Sequence, residues 1–197
     1  VFIVDDDEAV RDSIQELVRS VGLAAQAYDS AQSFLQVFDV NRPGCLVLDV
    51  RMAHMSGPAL QERLNALGAS IPIVFISGHG DITVAVKTIK AGAVDFVQKP
   101  YREQQLLDSI NEALQRDAAA RRAAGMQTGF AERQATLTER EREVMALMVQ
   151  GSSSKAIAQT LGISYRTVEL HRSHILEKLG ARSVAELIRL ALQRPAT

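Results

Sequence analysis

Cys45–Arg51, CLVLDVR, is the stretch from which the fold can be read. Cys45 to Leu48 is a short apolar run without polar alternation, and it stops on the carboxylate of Asp49. A run of this kind is a strand buried on both faces, as in a parallel sheet covered by helices on each side. Open parallel sheets carry their chemistry just past the carboxyl ends of their strands, where Asp49 stands. The opening run Val1–Val4 also stops on acid, Asp5-Asp6-Asp7. Two strands that end on carboxylates predict one acidic pocket.

Working outward, residues 1–114 alternate strand and helix signals. Strands are expected at Val1–Val4, Ala24–Tyr28, Cys45–Asp49, Ile73–Ile76 and Val94–Val97. The first helix is capped by Asp7 and aligns Val10, Ile14, Leu17, Val18 and Val21 on one face. Ser30 caps a second helix carrying Phe34, Leu35 and Phe38. Pro58 opens a third, with Leu60, Leu64 and Leu67 inward. Asp81 caps a fourth that runs through Lys90, and a fifth begins near Arg102 and buries Leu106, Leu107, Ile110 and Leu114. Strands alternating with helices in this way predict a three-layer α/β sandwich with right-handed crossovers.

From Gln115 to Arg133 the chain is rich in Ala, Arg and Glu and poor in branched apolar residues. High helix propensity without a core-facing stripe predicts an exposed helical linker over 115–135, bending or fraying at Gly125 and Gly129. Residues 136–197 read as all helical. Thr138-x-x-Glu141 is a capping box, and Gly151 stops the helix that follows. Lys155–Thr160 forms a short helix, Gly162 a tight turn, and Ser164 caps a longer helix, Tyr165–Leu179. A last helix runs from Ser183 to Gln193, before Pro195. Short helix, glycine turn and longer helix make a helix-turn-helix.

The 197 residues suffice for two small domains, and 47% hydrophobic with 23% charged content is that of a globular protein. No apolar run approaches the roughly 20 residues needed to span a bilayer, and no signal peptide is evident. A start inside a strand, without Met, implies that a few leading residues are missing. The single cysteine, Cys45, cannot form an internal disulfide and is expected as a core residue in a reducing, cytoplasmic protein. The net charge of −1 hides an asymmetry. Residues 1–114 carry 9 Lys+Arg against 15 Asp+Glu, or −6, and residues 115–197 carry 13 against 8, or +5. The front half can hold a cation and the back half can meet a polyanion.

Crowding Asp5, Asp6 and Asp49 at one sheet edge costs several kcal/mol without a counterion. A hard divalent cation, most simply Mg²⁺, relieves that repulsion with few carboxylates and several waters. No glycine-rich turn follows the first strand, which disfavours a dinucleotide cofactor. Carboxylate plus Mg²⁺ suits phosphoryl transfer, with Asp49 as nucleophile and a lysine neutralising the oxygens. Ser77 and Lys99, at the ends of strands four and five, supply a hydroxyl and that cation.

The set IVDDDEAVR, LVLDVRM…MSG, ISGHGD and AGAVDFVQKP resembles the flavodoxin-like (βα)5 receiver domain of two-component response regulators over nearly all of residues 1–114. The resemblance implies Asp49 as phosphoacceptor, and Mg²⁺ held by Asp6, Asp49 and the backbone carbonyl of Arg51, with Asp5 acting through water. It also implies Ser77 as the switch hydroxyl, Lys99 as its cationic partner before a cis Lys99–Pro100 peptide, and Phe96 as the switch aromatic. The loop after the acceptor departs from the family's usual Met-Pro-x-Met, reading Met52-Ala53-His54-Met55, which loosens it. Arg51 and His79 stand where the family tunes dephosphorylation.

Residues 137–192 resemble the LuxR-type helix-turn-helix of the FixJ/NarL group through LTEREREVM, KAIAQTLGIS, RTVELHRSHILEKL and ARSVAELIRLAL. On the Tyr165–Leu179 helix, Val168, Ile175 and Leu179 face inward. Leu170 suits a thymine methyl, Arg172 guanine or phosphate, and Glu169 a cytosine amino group. Ser173 lies outward beside them. Lys155, Arg166 and Lys178 are expected on phosphates, with Ser164 and Thr167 at the helix N-terminus. Ser154 replaces a frequent Asn, weakening one local contact. His171 and His174 lack the companions a metal site needs.

These readings combine into a transcription regulator, and the resemblance implies the partners. They are a histidine kinase that phosphorylates Asp49, a second copy of the chain, double-stranded DNA and RNA polymerase. Two rivals remain open: a DNA-binding regulator whose Asp49 is silent, and a Mg²⁺-dependent phosphatase, for which no substrate cap or proton donor near Asp49 is visible.

Overall fold

A computed structural model describes residues 1–78 and 82–192. The chain divides into two compact units, Val1–Ala120 and Arg121–Thr197. The first is built on five parallel strands, β1 (Phe2–Val4), β2 (Gln26–Tyr28), β3 (Leu46–Asp49), β4 (Ile73–Ser77) and β5 (Asp95–Gln98), in the order β2-β1-β3-β4-β5. Between them run α1 (Glu8–Ser20), α2 (Ala31–Val37), α3 (Gly57–Ala66) and α4 (Ile82–Lys90), with α5 (Glu103–Ala135) after β5.

Alternate strand residues feed opposite cores because successive side chains in a strand point to opposite faces. Phe2, Val4, Leu46, Leu48 and Phe75 pack with Phe34 of α2 and Leu60 and Leu64 of α3. Ile3, Val47, Val74, Ile76 and Val97 pack instead with Ile14 and Val18 of α1 and Leu106, Ile110 and Ala113 of α5. Each of these side chains except Ala113 contributes about 1.5–3 kcal/mol by leaving water. Cys45 is fully buried, and desolvation pushes its thiol up to about 12, so it is a core residue.

The strand limits agree with the sequence reading to within a residue or two. Three assignments are corrected. Val21 and Leu67, expected inward, are half or more exposed, because each falls at a helix C-cap, where the chain turns off the helical face. Gly57, not Pro58, is the first residue of α3, with Ser56 as its N-cap. Residues 115–135, expected as helix, are helical and continuous with the fifth helix. That helix continues through Gly125 and Gly129 to Ala135, carried by Ala, Arg and Gln side chains of high helix propensity. The Asp81 cap, His79, Gln193 and Pro195 lie outside the described residues.

The second unit contains the last turns of α5 and α6 (Glu139–Val149), α7 (Ser154–Leu161), α8 (Tyr165–Leu179) and α9 (Val184–Leu192). The capping box forms in full: Thr138 Oγ1 accepts from Glu141 N–H, and the Glu141 carboxylate accepts from Thr138 N–H. Gly162 (φ 65°) closes α7 and Gly180 (φ 68°) closes α8, both in the left-handed region that costs glycine least. Val144, Met148, Ile157, Val168, Ile175, Leu179 and Leu187 form one core, and Phe130, from the penultimate turn of α5, is part of it. Arg133 of α5 donates from Nε to the carbonyl of Leu179, 3.1 Å away, at the end of α8.

Candidate functional site

β3 delivers Asp49 to the carboxyl edge of the sheet, opposite Ile76 in β4. Gly57 makes the close approach of α3 possible. A Cβ there would lie 2.2 Å from the backbone oxygen of Asp49 and 3.0 Å from the Phe75 ring. β1 delivers Asp5, and Asp7 turns away to cap α1, accepting from Ala9 N–H. Asp5 and Asp49 are both buried, at 1% and 6% exposure.

The ammonium of Lys99 stands between these two acids. Nζ donates to Asp5 Oδ2 at 2.7 Å and to Asp49 Oδ1 at 2.8 Å. The remaining oxygens are also engaged: Asp5 Oδ1 accepts from Asp7 N–H at 2.9 Å, and Asp49 Oδ2 accepts from Arg51 N–H at 2.7 Å. Arg11, which the sequence did not single out, donates from Nη1 to the Asp5 carbonyl at 2.9 Å. Asp6 lies on the exposed side, its Oδ2 accepting from Ala53 N–H at 3.0 Å. Counterion and acids were thus both present in the sequence, and the fold brings them into contact.

Burial raises the pKa of Asp49, and the charge of Asp5 adds to that rise, against the lowering by Lys99. Burial alone would lower Lys99, but its hydrogen bonds to Asp49 and Asp5, and their charges, outweigh it and hold the ammonium protonated. One ammonium shared by two buried carboxylates leaves an anionic pocket.

Ser77 ends β4, one residue beyond the partner of Asp49, and is buried. Its carbonyl accepts from Lys99 N–H at 2.7 Å, tying the tips of β4 and β5 together. The Lys99–Pro100 peptide is cis. Phe96 pairs with Phe75 across β4 and β5, their rings stacked with centroids 6.5 Å apart, and is partly buried.

In the second unit, Ser164 caps α8, its Oγ accepting from Thr167 N–H at 3.0 Å. Arg166, Glu169, Leu170 and Ser173 are exposed on α8, as is Lys155 on α7. Leu170 is 55% exposed and Tyr165, at the start of α8, 53%. The sequence reading used Tyr165 only as a helix boundary, although an aromatic directly after an N-cap serine has no core role to fill. Arg172 is more covered than expected, with Nε 3.6 Å from Glu169 Oε1. Lys178 is not directed to solvent alone: Nζ bonds both Glu141 oxygens, at 2.7 and 2.9 Å. That lysine braces α8 against α6.

The Lys178 hydrogen bonds, with those from Thr138, hold the Glu141 carboxyl down to about 2. A depressed folded pKa stabilises at pH above the unfolded value and loses that contribution as pH falls through the folded one. Thermal melts of the unsubstituted chain should therefore lose stability between roughly pH 5 and 2 through this group. Glu141→Gln should be less stable at neutral pH and show a shallower fall across that window. Parallel pH profiles for the two chains would count against the pairing.

The response regulator receiver domain family matches residues 1–111, and the LuxR family of bacterial regulatory proteins matches residues 135–191. The chain belongs to the two-component response regulators. The response regulator protein TodT of Pseudomonas putida is 46% identical over 192 residues, covering 96% of this chain and 84% of that one. The transcriptional regulatory protein FixJ of Azorhizobium caulinodans is 41% identical over 192 residues, covering 98% and 91%. Among solved structures, the response regulator StyR aligns over 98% of both chains with a TM-score of 0.84 and 44% identity. Full-length FixJ from B. japonicum aligns over 98% of this chain and 95% of its own, with a TM-score of 0.61 and 38% identity. This response regulator is therefore a transcription regulator with a LuxR-type DNA-binding domain, and not an enzyme. No helix among its described residues is long and apolar enough to cross a membrane.

Receiver domains typically use Mg²⁺, and the donors at this sheet edge suit it. Among the described residues, no three His, Cys, Asp or Glu side chains are grouped as a metal cage. Mg²⁺ does not require one, since it keeps most of its waters and takes one or two carboxylates. Hard oxygens are what this edge offers, with Asp5 and Asp49 already converging on one cation, the Lys99 ammonium. Asp6 is exposed at the same strand end. The donor set fits the ion.

Proposed function

We propose that a histidine kinase phosphorylates Asp49 of this response regulator and that the modification controls its dimerisation and its binding to specific DNA sites. The observation that carries the reading is the pair of short bonds from Lys99 to Asp5 and Asp49. They put a buried nucleophilic carboxylate and its neutralising cation in one pocket. An oxygen of Asp49 attacks the phosphorus, the bond from phosphorus to the kinase imidazole nitrogen breaks, and an acyl phosphate is left on Asp49. Lys99 offsets the added negative charge. Asp6, Asp49 and the Arg51 carbonyl would hold Mg²⁺, with Asp5 acting through water, and the ion would supply charge neutralisation at this edge.

The new dianion recruits the Ser77 hydroxyl, and Phe96 repacks against Phe75. The face around residues 81–101 then pairs with a second copy. Shifting a population from mostly inactive to mostly active requires about 5.5 kcal/mol of differential stabilisation. A doubly charged group meeting an ammonium, a hydroxyl and a divalent cation is of the right kind to supply much of it. Residues 1–114 act as the receiver, 115–135 as the helical connection and 136–197 as the DNA-binding domain, and the dimer presents two α8 helices to half-sites about one helical turn or a multiple apart. RNA polymerase is the expected downstream partner, with activation of transcription as the outcome.

On DNA, Leu170 meets a thymine methyl while Glu169 and Arg172 meet base edges beside Ser173. Lys155, Arg166, Ser164 and Thr167 position the backbone, and Lys178 contributes chiefly through Glu141. Arg166→Ala should weaken binding across all sequences by about tenfold and reduce the salt slope by about one. Leu170→Ala should instead relax preference at one base position. A footprint of the phosphorylated full chain on genomic DNA, followed by titrations in several salt concentrations, tests both. Equal footprints with and without phosphodonor would favour the reading in which Asp49 is silent.

A further inference from the structure

The bond from Ala53 to Asp6 belongs to this chain's departure from the usual post-acceptor loop. Ala53 N–H donates to Asp6 Oδ2 at 3.0 Å, joining residues 47 positions apart in the chain. A proline at position 53 has no N–H, so the bond exists only because the residue is something else. The loop around it is fastened. Met55 N–H donates to the Ala53 carbonyl at 2.8 Å across His54, whose φ of 67° makes a three-residue γ-turn. Gly57 N–H donates to the Val50 carbonyl at 3.1 Å. The loop expected to be loosened by the loss of proline is tied to Asp6, just past β1.

We propose that the Ala53 N–H is a positioning donor for Asp6, and that it sets this receiver's affinity for Mg²⁺. The inference rests on the metal reading given above. Asp6 is exposed, unlike its neighbour Asp5, and an exposed aspartate has several rotamers of similar energy. Binding one carboxylate oxygen to the Ala53 amide selects a single rotamer and leaves the other oxygen for the ion. The same amide lies two residues beyond Arg51, the proposed carbonyl donor, so one segment organises two ligands. Outer partners of metal-binding carboxylates typically change affinity by 10–100-fold when removed.

Calorimetric titration of the full chain with magnesium chloride tests this in the absence of phosphodonor. Ala53→Pro, which deletes the donor, should weaken Mg²⁺ by about tenfold. Ala53→Gly, which keeps it, should stay within about twofold of the unsubstituted chain. Without metal, the Ala53 amide proton should shift and exchange faster in Asp6→Ala, which removes the acceptor and reports the bond even if the proline variant folds poorly. Ala53→Pro that takes up Mg²⁺ as tightly as the unsubstituted chain, or an Ala53 amide indifferent to Asp6→Ala, overturns the proposal alone. No saturable uptake by the unsubstituted chain overturns the metal reading, and the proposal with it.

Discussion

Asp49→Asn should abolish labelling of this response regulator by a small phosphodonor in the presence of Mg²⁺. It should also raise the thermal midpoint of the receiver at pH values where the native carboxyl is ionised. The first effect follows from the proposed acceptor role of Asp49, whose Oδ1 lies 2.8 Å from Lys99 Nζ at the end of β3. The second follows from electrostatics. Burial and the neighbouring Asp5 raise the pKa of Asp49, and a carboxyl whose folded pKa is raised favours the fold while protonated and opposes it once ionised. Where it is ionised, the amide removes a buried charge while Lys99 keeps Asp5 as its partner. Phosphate incorporation measured on intact protein, with melts beside it, reads both. Undiminished labelling of the asparagine variant would sink the acceptor assignment, and a lowered midpoint would contradict the charge argument.

Gly57→Ala should be the most damaging single methyl in the receiver. The added Cβ would sit 2.2 Å from a backbone oxygen and about as close as contact permits to Phe75 and Leu48, at 3.0 and 3.1 Å. None of these is the loose end of a flexible side chain, and the obstructing oxygen belongs to Asp49 itself. Overpacking of this kind costs about 3 kcal/mol or more, equivalent to a fall of about 10 °C in the receiver's unfolding midpoint. Relief requires moving α3 or the tip of β3, so phosphoryl incorporation should fall together with stability. A melt within one or two degrees of the unsubstituted chain would show that α3 can retreat freely.

Much of this architecture was legible in residue patterns, and the gaps have physical causes. β3 and α8 were read closely, because an uninterrupted apolar run and a Ser…Gly frame around a periodic segment are both strong local signals. Residues 115–135 were read as a separate helical stretch and are one helix with the turns before them, because apolar periodicity reports which face is packed, and helicity persists where that face fades. Val21 and Leu67 failed for the opposite reason: periodicity continues on paper past the C-cap, while the backbone has already turned. In the pocket, residue type and position at strand ends brought Asp5, Asp49 and Lys99 into one reading. The Ala53 amide and the Gly57 approach were invisible, since one is a main-chain donor and the other a space left empty. Lys178 was read as a phosphate ligand because a basic residue near the end of a recognition helix gives no sign of a buried glutamate on another helix.

The guanidinium of Arg133 on the last carbonyl of α8, with the ring of Phe130 in the same core, has a practical corollary. The similarity to LuxR-type domains begins at residue 135, yet both of these side chains come before it. An excised DNA-binding fragment cut at that border would lack an aromatic plug and leave the Leu179 carbonyl without its arginine donor. Cloning boundaries set a dozen residues upstream would retain both, and the shorter piece would melt earlier than its longer sibling.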